Sequence, residues 1–167
     1  MATIKLSTTK SASRLINYAE KKAVVKSGHN VNVDYAKSQM RQTRSLFGKN
    51  DGIQAHHVIQ SFKPNEVTPE KANQVGLELA EKLAKDHEVA VYTHADKDHI
   101  HNHIVINSVN FETGKKYQAH GIEAIEHTRS LSDEICQKHG LSIVTEKTAK
   151  VRHTLAEQEL LKKGITS

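Results

Sequence analysis

Four histidines fall within ten residues of this sequence, at positions 94, 99, 101 and 103. Successive side chains of a β-strand point to opposite faces, so an extended segment places His99, His101 and His103 on one face. His94 comes just before a short joint and can reach the same face from a neighbouring strand. Three neutral imidazoles suit Mn²⁺, Zn²⁺, Co²⁺ or Ni²⁺ and leave coordination positions open. The spacing predicts a metal centre with His94, His101 and His103 as ligands.

Open coordination positions indicate a catalytic metal, which can polarise a phosphate ester and stabilise the charge that grows on its oxygens. Asp96 or Asp98 can accept a hydrogen bond from the outer nitrogen of a ligand histidine. A structural zinc site remains an alternative, but such sites usually recruit cysteine, and the sequence has only Cys136. Solvated surface histidines are the other alternative.

Composition bounds the class of protein. A chain of 167 residues fits one compact domain. The net charge of +5 and the pI near 9.2 favour a polyanionic partner, while an aromatic content of 4% argues against extensive base stacking. No apolar run has the length of a membrane span, and no export segment opens the chain. We therefore expect a cytoplasmic protein without a membrane partner.

Hydrophobic periodicity predicts the elements that must position the histidines. Ile100, Ile104 and Ile106 alternate with the imidazoles, so the opposite face of their strand can be buried under helices. A short joint before residue 99 predicts an antiparallel hairpin. The predicted fold is α+β, with a central, largely antiparallel sheet, helices packed on one face and the metal site on the other. The predicted strands are 3–7, 53–62, 88–94, 99–111 and 141–145, and the predicted helices are 11–26, 34–47, one starting at Thr68, 122–139 and 149–163.

The residues from His94 to Asn107 follow the pattern H-x-D-x-x-H-x-H-x-H, then apolar residues and an asparagine. This pattern resembles the third motif of the plasmid-mobilisation relaxases, the MobA-like MOBP group of the HUH endonucleases. Residues 10–18 resemble the family's first motif, which ends in a nucleophilic tyrosine, here Tyr18. Residues 54–62, followed by Pro64-Asn65-Glu66, resemble the second motif with its Ser61.

The resemblance implies an enzyme that nicks one DNA strand at a plasmid origin of transfer. In this family the tyrosine becomes joined to the 5′ phosphate, and a divalent metal ion, Mn²⁺ or Mg²⁺ in use, assists. The implied partners are origin DNA, single-stranded at the nick, accessory mobilisation proteins and a conjugative coupling protein. Besides Tyr18 and the three ligands, the resemblance implies roles in or near the site for Asp96, His99, Asn107 and Ser61.

Four tyrosines compete for the nucleophile's role. Tyr18 precedes the histidine motif, as in relaxases, whereas rolling-circle replication initiators place the tyrosine after the motif on a helix. The predicted helix 122–139 contains no tyrosine, which favours a relaxase. Tyr35 is the alternative nucleophile, and Tyr92 is expected near the metal but constrained by its strand. A replication initiator or transposase, and a non-catalytic metal- or DNA-binding module, remain the alternative functions.

Basic residues near the first motif and on the second predicted helix are candidates for phosphate contacts. His56 and His57 point to opposite faces of their strand, and the sequence does not decide which of them lines the site. We expect a relaxase domain over residues 1–145, followed by a helix (146–167) that continues into a domain absent from this chain. The candidate DNA contacts are Lys10, Arg14, Lys21, Lys22, Arg41 and Arg44.

Overall fold

The computed structural model describes residues 2–96 and 98–143. Within these residues, five strands form one antiparallel sheet in the order β1-β3-β5-β4-β2. Helices and strands are interspersed along the chain, which confirms the predicted α+β class with its antiparallel sheet. The strands are β1 (Thr3–Thr9), β2 (Ala23–His29), β3 (Ala55–Ser61), β4 (His87–His94) and β5 (His101–Asn110), and the helices are α1 (Ala12–Lys21), α2 (Ala36–Leu46), α3 (Pro69–Leu83) and α4 (Gly121–Lys138).

Helices α3 and α4 cover the apolar face of the sheet. Ile104 and Ile106 of the central strand are fully buried there against Val75 and Leu79 of α3, and Ile135 of α4 belongs to the same core. The side chain of Thr68 accepts a hydrogen bond from the Lys71 amide, and Pro69 follows in the first turn of α3. The predicted helix start is therefore confirmed. The cap satisfies a free backbone amide, and Pro69 has no amide hydrogen that needs a partner.

The opposite face carries His101 and His103 of β5, and helices α1 and α2 also pack there. Ile16 of α1 and Met40 of α2 are buried against Tyr92 and Val105 of the sheet. The prediction that helices pack on the face opposite the histidines is confirmed by α3 and α4. The second pair of helices on the histidine face is an addition that the sequence pattern did not predict.

Strand β2 corrects the predicted helix 11–26. Helix α1 ends at Lys21, and the next residues form an edge strand that pairs with β4, with a β-bulge between Ala23 and Val25. Ala23 lies at helical spacing from Ala12 and Ala19, so the apolar stripe is continuous in the sequence. The β-branched pair Val24-Val25 instead favours extended backbone, and pairing with β4 decides the outcome.

Residues 141–143 are not part of a strand. The remainder of the predicted strand 141–145 and the predicted helix 149–163 lie outside the described residues. Within the described part of the chain, we find no helix with the length and apolar character needed to cross a bilayer.

Candidate active site

Three imidazoles converge at one end of the histidine face. His94 is the last residue of β4 and pairs with His101, the first residue of β5, while His103 follows two positions later on the same face. The ring centroids are 5.1 Å apart for His94 and His101, 4.2 Å for His94 and His103, and 5.0 Å for His101 and His103. One nitrogen from each ring lies within 4.8 Å of the others. These are the three predicted ligands, and we refer to them as the histidine triad.

The hydrogen bonds around the triad leave lone pairs for a cation. His94 Nε2 lies 2.7 Å from the carbonyl oxygen of Ala19. A carbonyl only accepts, so Nε2 carries the hydrogen of a neutral His94 ring, and Nδ1 of that ring has the lone pair. Nδ1 of His101 and Nε2 of His103 are buried without a hydrogen-bond partner among the described residues. Buried polar atoms normally have partners, so these two nitrogens fit a site that holds a metal ion.

Burial keeps the two β5 histidines neutral. It lowers the pKa of His101, and it lowers the pKa of His103 to about 3, with a further contribution from the neighbouring His57 and His94. Both imidazoles are therefore unprotonated at neutral pH, which is the state that binds a cation.

Tyr18 lies beside the triad on α1. The hydroxyl of Ser11 accepts from the Arg14 amide and begins the helix, and Ile16 and Ala19 bury one side of it. Tyr18 projects from the flank, with its side chain 54% exposed. Its ring centroid lies 5.6 Å from that of His103 and 6.2 Å from that of His94.

The other tyrosines are placed differently. Among the described residues, no ring contact joins Tyr35, Tyr92 or Tyr117 to the triad. Tyr35 is exposed at the start of α2. Tyr92 is fully buried, and burial raises its pKa far above the usual value, so its phenol is a poor nucleophile. The geometry singles out Tyr18.

Strand register brings two further residues to the triad. Ser61 of β3 pairs directly with His101 and faces the site. His57 lies four residues before Ser61 on the same face of β3. Its Nε2 is 2.8 Å from Nδ1 of His103. His56 points to the other face, where its ring contacts Tyr117. The sequence left His56 and His57 undecided, although His57 shares the strand face of Ser61, and that alternation was the available signal.

His99 and Asp96 lie at the rim rather than in the triad. His99 precedes β5, and its ring centroid is 5.6 Å from that of His101. Asp96 lies in the exposed joint between β4 and β5, and its carboxylate is 3.5 Å from Lys22 Nζ. The predicted hydrogen bond donated by a ligand histidine to Asp96 is not seen in the described residues. The Asp96 carboxylate pairs instead with Lys22, the residue that follows α1.

Two predicted site residues instead hold α2 against the sheet. The Asn107 amide donates to the Met40 carbonyl and to Glu88, and its oxygen accepts from Arg44 Nη1 at 3.1 Å. Arg44 also donates to Asn50 and is only 2% exposed. Asn107 therefore does not line the triad, and the predicted contact of Arg44 with DNA phosphate is wrong, because its guanidinium is buried.

The remaining basic candidates are exposed on or beside α1 and α2. Arg41 reaches the Ser13 hydroxyl at 3.4 Å, and so bridges the two helices while keeping much of its surface free. These candidates place positive charge on or beside α1, the helix of Tyr18, and α2, and such a surface is suited to phosphates. The exposed residues are Lys10, Arg14, Lys21, Lys22 and Arg41.

The sequence profile of the family described as relaxase, MobA/VirD2-like, nuclease domain matches residues 13–141. Protein rlx of Staphylococcus aureus is 63% identical over 161 residues, which is 96% of this chain and 51% of that protein. A second S. aureus protein rlx is 60% identical over 167 residues, 100% of this chain and 50% of that protein. This chain therefore spans about half the length of these relatives.

Two more distant similarities agree with the match to the relaxase profile. The group II intron-interrupted relaxase LtrB of Lactococcus lactis subsp. cremoris is 32% identical over 147 residues, 80% of this chain and 26% of that protein. A solved structure described as "Molecular Basis of Vancomycin Resistance Transfer in Staphylococcus aureus" has a TM-score of 0.58 at 13% identity, covering 86% of this chain and 96% of that chain. At this identity the structure supports the fold alone. The profile match extends over most of the chain, and we conclude that the chain belongs to the MobA/VirD2-like relaxase family and contains its nuclease domain.

Proposed function

We propose that this chain is the DNA-nicking domain of a plasmid-mobilisation relaxase, with Tyr18 as the nucleophile and the histidine triad as its metal site. The observation that carries the proposal is the position of the exposed Tyr18 ring, 5.6 Å from His103, beside three convergent imidazoles. Its substrate is single-stranded DNA at a plasmid origin of transfer. Membership of the MobA/VirD2-like relaxase family supports this choice of substrate.

His94, His101 and His103 would hold the ion, Mn²⁺ or Mg²⁺ in use, although neutral imidazoles also suit Zn²⁺, Co²⁺ and Ni²⁺. A bound divalent ion would polarise the scissile phosphate and stabilise negative charge on its oxygens. The fit rests on two buried nitrogens, one each of His101 and His103, that have no hydrogen-bond partner in the part of the chain that the structure describes. Ser61, which pairs with His101, would contact the same phosphate region.

The reaction assigned to Tyr18 is a transesterification. Its phenolic oxygen forms a bond to phosphorus, and the bond between phosphorus and the 3′ oxygen breaks. The phenol loses its proton and the departing 3′ oxygen gains one, so no phosphodiester is hydrolysed. The resulting 5′ phosphotyrosine can be attacked later by a 3′ hydroxyl, which reseals the strand. Exposure of Tyr18 allows a DNA strand to reach it.

The exposed lysines and arginines of α1 and α2 would bind phosphates on either side of the nick, and binding should weaken with salt. Accessory mobilisation proteins, a coupling protein and a cytoplasmic site of action are part of the same proposal. The initiator alternative is disfavoured, because α4 follows the histidines without a tyrosine.

Cleavage assays test the proposal directly. Single-stranded oligonucleotides tiling the DNA that flanks the gene for this chain are incubated with the protein and Mn²⁺ or Mg²⁺. We expect one oligonucleotide to be cut, EDTA to stop the reaction, and the double variant His101→Ala, His103→Ala to lose it. His127→Ala is the matched control, since His127 is exposed on α4, which packs on the sheet face opposite the triad. DNA binding without cleavage would favour the non-catalytic module, and undiminished cleavage by the double variant would exclude the triad.

A further inference from the structure

His57 of β3 makes an unusually close contact with one triad member. Its Nε2 lies 2.8 Å from Nδ1 of His103, and the two rings are stacked with centroids 5.0 Å apart and an interplanar angle of 22°. His57 is 9% exposed and His103 is 3% exposed. The contact joins the central strand to its neighbour on the β1 side, away from His94.

The direction of this hydrogen bond determines what His103 can bind. A neutral imidazole has one N–H and one lone pair, so the two rings share a single proton along the Nε2···Nδ1 line. If His103 donates from Nδ1, its Nε2 carries the lone pair. If His57 donates instead, the hydrogen of neutral His103 lies on Nε2, and that nitrogen cannot bind a cation. Nε2 is the His103 nitrogen that is buried without a partner in the described structure.

We propose that His57 is a positioning residue for the metal site: it accepts the Nδ1 hydrogen of His103 and so holds Nε2 of His103 in its metal-binding form and direction. The proposal rests on the proposed function, because it assumes that the triad binds a divalent cation. Outer hydrogen bonds of this kind fix the tautomer and ring orientation of histidine ligands.

His94, like His103, has an uncharged hydrogen-bond partner at the nitrogen that would not bind the metal. Ala19 supplies a backbone carbonyl to His94 Nε2, and His57 supplies a ring nitrogen to His103 Nδ1. Neither partner carries a charge, so neither offsets the charge of a bound divalent ion. A bound ion would therefore attract a phosphate oxygen more strongly than it would if a carboxylate were the hydrogen-bond partner of these histidines.

Metal affinity, measured without DNA, separates this role from a structural one. Mn²⁺ and Co²⁺ are titrated calorimetrically into the unaltered chain and into His57→Leu, His57→Gln and His56→Leu. His56 is the matched control, because it is adjacent to His57, is similarly buried at 7% exposed, and faces away from the triad. We expect His57→Leu to bind both ions roughly 10- to 100-fold more weakly. His57→Gln should bind close to the unaltered chain, because its amide oxygen can accept the same hydrogen, and His56→Leu should bind normally.

Thermal unfolding of each metal-free variant is measured in parallel, and both leucine variants are expected to remain folded with similar losses of stability. Equal affinity in His57→Leu and the unaltered chain would overturn the role of His57. Failure of His57→Gln to restore binding, or an equal loss in His56→Leu, would also overturn it. If the unaltered chain binds neither ion, the metal site itself is wrong, and this result is distinct from the others.

Discussion

At the residue scale, one hydrogen bond connects the helix of Tyr18 to the triad. The carbonyl of Ala19 belongs to the last turn of α1, where carbonyls have no partner within the helix. His94 satisfies this carbonyl, and Tyr18 is the residue immediately before it. The same contact therefore fixes the tautomer of His94 and the distance of α1 from the triad. Tyr18 does not need a rigid environment of its own, because its backbone is already held.

Arg44 gives a residue-scale prediction that separates stability from DNA binding. Arg44→Ala removes the donor to Asn107 and Asn50 and leaves a buried acceptor unpaired. We expect the free energy of unfolding to fall by about 1–3 kcal/mol, measured by urea denaturation. Arg41→Ala, one turn earlier and exposed, should leave stability nearly unchanged and weaken binding of single-stranded DNA. A stable Arg44→Ala with weakened DNA binding would contradict the structural role.

At the element scale, a buried polar network backs the strands that carry the triad. Asn102 lies between His101 and His103 but points to the opposite face, where it donates to Gln60 and to the Ala72 carbonyl and accepts from Thr93 at 2.6 Å. Gln60 donates in turn to Ser132 of α4. These bonds attach α3 and α4 to β3, β4 and β5 at the level of the triad. A satisfied buried network of this kind restricts the strands to one register.

Gly76 of α3 tests the tightness of this packing. A Cβ atom at this position would lie 2.5 Å from Asn102 Nδ2 and 3.0 Å from Val91 Cγ1. The Asn102 amide cannot move without breaking its hydrogen bonds, so the gain in helix propensity from Gly76→Ala is outweighed. We expect a loss of about 1–3 kcal/mol in the free energy of unfolding, measured by chemical denaturation. Gln74→Ala on the exposed side of α3 is the control and should have little effect. A stabilised Gly76→Ala would show that α3 can move away from β5.

The sequence predicted those elements whose patterns are local. Alternation of isoleucine and histidine identified β5 and its two faces, and Thr68-Pro69 identified the start of α3. Strand β2 was missed because Ala23 extends the apolar stripe of α1, and only pairing with β4 makes the segment extended. The burial of Arg44 and the hydrogen bonds of Asn107 depend on α2 packing on the histidine face. That is a tertiary contact, and no spacing in the sequence reports it.

At the scale of the whole molecule, buried neutral histidines should make the metal-free fold sensitive to acid. Burial lowers the pKa of His56 from 6.5 to about 4, with further contributions from His87, His120 and Lys116. The unfolded chain therefore binds a proton more readily than the folded chain between these values. Stability is unaffected by His56 above pH of about 6.5 and falls as the pH decreases toward about 4.

Urea denaturation in EDTA at pH 7.5 and pH 4.5 measures this loss. The lowered pKa of His56 alone should reduce the free energy of unfolding at acid pH by up to about 3 kcal/mol, which is its pKa shift converted to free energy. The buried histidines on the same sheet face as the triad also make the fold sensitive to acid. The loss of stability on acidification in the unaltered chain, minus the loss in His56→Leu, therefore gives the part due to His56. We expect a smaller loss on acidification in His56→Leu. An identical loss in both proteins would contradict the assignment.

The central claim is that Tyr18, held beside the histidine triad by α1, becomes joined to DNA. The most direct measurement is peptide mapping of the covalent adduct after cleavage of a single-stranded oligonucleotide, followed by trypsin and nuclease digestion and mass spectrometry. We expect the nucleotide on the peptide of residues 15–21, and no adduct in Tyr18→Phe. An adduct on the peptide that contains Tyr35, or one that persists in Tyr18→Phe, would contradict the account.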